Sequence, residues 1–78
     1  MQIDRARAQL ATDLRLARLR AGYSQDGLAY LAGVSVRTVI RAEQGCGISL
    51  RSAFLILSAL FGPDEPLTLL AHYAERRD

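Results

Sequence analysis

Apolar side chains return at Ile3, Leu10, Leu14, Ala17 and Ala21, a spacing that lays one stripe along a helix and predicts a first helix closed by the segment AGYS. Gly22 suits a left-handed residue at that end, and Ser24 is placed to cap a second helix, Gln25 to Ala32. Gly27 stands where a Glu would complete a capping box, so this start is weaker than it could be. Gly33 supplies the next turn and Ser35 caps a third helix running to Gln44. The loop GCGI leads to Ser49, cap of a fourth helix from Leu50 to Phe61, with Leu50, Ala53, Phe54, Leu57, Leu60 and Phe61 facing inward. Gly62 and Pro63 stop it. Pro66 takes a first-turn position of a fifth helix ending near Arg76, with Leu67, Leu70, Ala71 and Ala74 inward. No segment alternates with period two, and no repeat or linker appears, so the pattern predicts an all-α chain of five short helices in a single domain over residues 1–78.

The third helix has an unusual outer side. Val36, Arg37, Ile40, Arg41 and Gln44 share one face, while Val39 and Ala42 point the other way. Two arginines one turn apart, set among β-branched aliphatics, are an odd surface for a helix that meets only water. Half of the 78 residues are hydrophobic, which argues for a compact fold and against a disordered tail. A chain this short buries roughly two-thirds of its unfolded surface at best, so further burial in an oligomer is expected. The net charge of +2 is unevenly spread: through Arg51 eight arginines face four acids, and from Ser52 onward two face four. The basic part is the candidate for contact with nucleic acid. That every basic residue is Arg, with no Lys, fits a GC-rich genome as well as any physical choice.

The spacing of Gln25, Leu28, Ala29, Gly33, Val34, Val39 and Ala42 is that of a helix-turn-helix: Ala29 is small where the helices cross, Gly33 makes the turn and Val39 locks one helix to the other. The stretch LRLARLRAGYSQDGLAYLAGVSVRTVIRAEQG carries R-x-x-x-G-x-S-Q and G-V-S-x-x-T-[VI]-x-R-x-E-x-G almost intact. It resembles the lambda-repressor-like (Cro/C1-type, XRE) helix-turn-helix family, over about Leu14 to Gly62. The resemblance implies that the first residues of the third helix enter the major groove, with Val36 and Arg37 at base edges and Arg41 one turn later. It also implies backbone contacts from Ser24, Gln25, Thr38 and Arg51, and a buried structural ion pair between Arg18 and Glu43. Arg matches guanine O6 and N7, and aliphatic groups meet the thymine methyl, so Val36, Arg37 and Arg41 would read mixed G and T edges. Arg41 could equally neutralise a phosphate.

Leucines also stand where this family is normally polar. Leu16 and Leu19 lie opposite the inward stripe of the first helix, Leu55 on the outer side of the fourth, and Leu69 with Tyr73 forms a second stripe on the fifth. Together they predict covered surface, with Leu69 and Tyr73 in a two-fold dimer contact matching two operator half-sites. The run SLRSAFLILSALFG is similar to the fourth helix of antitoxins that pair with HipA-type kinases, which would make Leu16, Leu19 or Leu55 contacts to a toxin partner. One cysteine and one histidine build neither an internal disulfide nor a zinc cluster. Cys46, between two glycines, reads as a small loop residue or a redox-sensitive thiol, and His72 as a surface or interface residue without a catalytic partner. The expectation is therefore a cytoplasmic, non-enzymatic regulator without cofactor or metal, binding double-stranded DNA as a homodimer, with an autoregulating antitoxin as the alternative. The apolar run FLILSALF is too short to span a bilayer, and nothing at the N-terminus resembles a signal peptide.

Overall fold

A computed structural model describes residues 5–62. Among them the chain is all-α, with helices α1 (Arg5–Ala21), α2 (Gln25–Ala32), α3 (Val36–Glu43) and α4 (Leu50–Phe61). The fifth helix expected after Pro63, with Leu69, His72 and Tyr73, lies outside the described residues, as does Ile3. No helix among the described residues is long and apolar enough to cross a membrane.

Each of the last three helices begins at a serine in extended conformation. The Oγ of Ser24, Ser35 and Ser49 accepts from the backbone N–H of Gly27, Thr38 and Ser52, at 2.9, 3.2 and 3.0 Å. These bonds satisfy donors that the first helical turn leaves open, which is why the three starts fall where the sequence puts them. The turn between α2 and α3 is Gly33-Val34-Ser35. Gly33 has φ +75°, and with it reversing the chain, the N–H groups of Gly33 and Val34 reach back to the Ala29 carbonyl at 2.9 and 3.1 Å. α3 ends one residue earlier than expected. Its cap, Gln44, is followed by a turn in which the Cys46 N–H bonds to the Arg41 carbonyl at 2.9 Å.

The core is assembled from all four helices. Leu14 of α1, Leu28 of α2, Val39 of α3, and Ile56 and Leu57 of α4 are fully buried, with Ala29, Ala32 and Ala42 filling the space between α2 and α3. Small residues there let two short helices approach closely. Several inward assignments shift. On α1 the buried positions are Ala11, Leu14 and Arg18, while Ala21 is exposed. On α4, Ile56 is buried, whereas Leu50 is 73% and Phe61 43% exposed. Leu55, expected on the outer side, is half-buried and packs against the core. α4 is apolar nearly all round, so hydrophobicity alone does not select its inner face, and contact with α1 and α2 does.

The αL conformation of Gly33 yields a clean prediction. A methyl group at this position meets nothing within 4 Å, so Gly33→Ala should lose only backbone energy. Urea denaturation should show about 1–2 kcal/mol of destabilisation, with Gly33→Asn losing less.

Candidate nucleic-acid interface

The side of α3 turned from the core carries Val36, Arg37, Arg41 and Gln44, all exposed, with Ile40 half-buried at its edge. Val39 and Ala42, on the opposite side, are buried. One turn of helix, 3.6 residues, is enough to separate the two sets completely. No side-chain bond among the described residues holds Arg37. Arg41 leans on the following loop, its Nη2 donating to the Gly47 carbonyl at 3.4 Å, a long contact that restrains the guanidinium weakly.

α3 is held from behind by a polar network. Arg18 Nε donates to Glu43 Oε2 at 2.6 Å and Arg18 Nη2 to Glu43 Oε1 at 3.0 Å, a two-pronged pair whose side chains are 10% and 5% exposed. Arg18 Nη1 donates to the Tyr23 carbonyl at 2.9 Å, and Gln25 Nε2 donates to Glu43 Oε1 at 3.2 Å. The hydrogen bonds it donates to Glu43 hold the Arg18 guanidinium above its ordinary pKa, against the opposing effect of burial. α1, α2 and α3 therefore meet at one carboxylate, and Arg18 ties the α1–α2 turn to it. The only acid of α3 is consumed inside, which leaves its outer side with cations alone.

The structure brings Arg18 and Glu43 together as expected. It gives Gln25 a role that sequence reasoning missed: its amide braces Glu43, leaving the other N–H of that amide and its carbonyl oxygen for any further contact. Ser24 is occupied as a helix cap. Thr38 is half-buried, its Oγ1 3.0 Å from the Ser35 Oγ. Arg51 is exposed in the first turn of α4, and Cys46 is exposed in the loop between α3 and α4. No signal in the sequence marks the Gln25 link, because an i to i+18 side-chain bond leaves no periodicity. The arrangement offers two cations and an aliphatic group on a helix face that carries no acid of its own, suited to an acceptor-rich, anionic surface.

The pair itself is testable. Glu43→Gln leaves the Arg18 charge buried without a counter-charge and should destabilise the fold by about 3 kcal/mol in urea. The double replacement Arg18→Met with Glu43→Leu should lose less than the two single losses combined, since it removes both charges from the interior. No protein-family model, curated protein or solved structure matches the chain.

Proposed function

We propose that the protein is a sequence-specific DNA-binding transcriptional regulator, a repressor that binds an inverted-repeat operator as a homodimer. In this reading α2 and α3 form a helix-turn-helix of the lambda-repressor-like class, and α3 lies in the major groove. The observation that carries the reading is the division of α3: Val36, Arg37 and Arg41 are exposed together while Glu43 is drawn into the interior by Arg18. Arg37 reads a guanine edge, Val36 meets a thymine methyl, and Arg41 contributes a second base or phosphate contact from one turn further on. Arg51, Thr38, Ser24 and the outer N–H of the Gln25 amide serve the phosphate backbone. Half-sites then lie about 34–36 Å apart, one helical turn of DNA.

The experiment is selection from randomised duplexes followed by affinity measurement across salt. Arg37→Ala should cost about 1–3 kcal/mol on the selected site and flatten preference at one base position. Arg51→Ala should weaken every sequence alike and reduce the salt slope by about one. Duplex binding that is absent, or that does not fall with added salt, would sink the proposal.

A further inference from the structure

The exposed side of α3 is ordered into two rows. Arg37 and Arg41, one turn apart, form the first, and Val36 and Ile40 form the second, with Val36 36% exposed and Ile40 half-buried at the edge. Ile40 also stands three residues after Arg37, which makes the two neighbours on the helix surface. Val36 extends this apolar strip by one turn toward the N-terminus. A guanidinium bonded to guanine O6 and N7 lies in the plane of the base. Its flat, weakly hydrated face is then turned along the DNA axis, against whatever occupies C5 of the pyrimidine on the 5′ side of that guanine. Thymine and 5-methylcytosine place a methyl group there, whereas uracil and cytosine place a hydrogen. The strip of Val36 and Ile40 meets the same methyl from beside the arginine.

The contact that selects cytosine is a carboxylate accepting from its N4 amine. α3 has one carboxylate, Glu43, and it is bound on the inner side by Arg18 and Gln25. The one hydroxyl of α3, on Thr38, lies 3.0 Å from the Ser35 Oγ. What remains outside recognises the methyl group and not the ring that carries it. We infer that Val36, Arg37 and Ile40 together read a 5-methylpyrimidine followed by guanine, and that they accept thymine and 5-methylcytosine alike. Ile40 is thereby a specificity-determining residue, and methylation of cytosine at C5 turns a poor CpG step into a good one. The inference names the chemistry of the DNA edge met by the proposed regulator and rests on that reading.

Binding to duplexes that differ by a single methyl group tests it, starting from the site selected out of randomised DNA and the guanine whose preference Arg37→Ala removes. The base 5′ of that guanine should be thymine, and its replacement by deoxyuridine should weaken binding about fourfold, the effect of one buried methyl group. With a C·G pair at that position, C5 methylation of the cytosine should tighten binding by about the same factor. Val36→Ala and Ile40→Ala should each cut both methyl effects to about twofold while the preference for guanine stays. The methyl comparisons need no protein variant, and Val36→Ala, at an exposed position, stands in for Ile40→Ala if the latter loses its helical circular dichroism. Equal affinity for the thymine and uracil duplexes, or for the cytosine and 5-methylcytosine duplexes, overturns the inference. So does a purine selected 5′ of the guanine, or a folded Val36→Ala variant that keeps both methyl effects in full. A chain that prefers guanine there, loses affinity with salt and ignores the methyl defeats this inference alone, whereas a chain that binds no duplex defeats it together with the proposed function.

Discussion

The Glu43 carboxylate is the point on which the arrangement of the helices depends. It accepts two bonds from Arg18 and one from Gln25, while Arg18 also holds the Tyr23 carbonyl in the α1–α2 turn. A buried charge without its partner is costly, so packing that separates these groups is excluded by several kcal/mol. α3 has only eight residues, too few for a stable isolated helix. Its direction is therefore inherited from Val39 and Ala42 in the core and from the Glu43 anchor. Whatever its outer face meets, that face is aimed from behind.

The same network sorts charge. With Glu43 neutralised inside, Arg37 and Arg41 stand outside with no acid on their own helix to compete for them. Among the described residues no side-chain bond holds Arg37, while Arg41 makes one long contact to the Gly47 carbonyl. α1 is two-sided. Ala11, Leu14 and Arg18 face the core and α3, and Asp13, Leu16, Ala17 and Arg20 face a groove beside α4.

Where helices start and stop was legible in the sequence, because capping is decided within a few residues of chain. Ser24, Ser35 and Ser49 each bond to an N–H three residues on, and Gly33 supplies, between α2 and α3, a backbone conformation that a side chain would strain. The divided face of α3 was equally readable, since Val39 and Ala42 alternate cleanly with the exposed arginines. The pairing of Arg18 with Glu43 came from the motif that contains them, and no count of hydrophobic positions would have put an arginine in the buried stripe of α1.

Only the tertiary structure decided which side of α4 is buried, that Leu55 belongs with the core while Leu50 and Phe61 do not, and that Gln25 braces Glu43. The reason is a difference in range. A cap or a glycine turn is a contest between a residue and its own neighbours in the chain, settled before anything else packs. The inner face of an almost wholly apolar helix, and the third donor to a carboxylate, depend on groups that arrive from other helices, and those exist only after folding has brought them together.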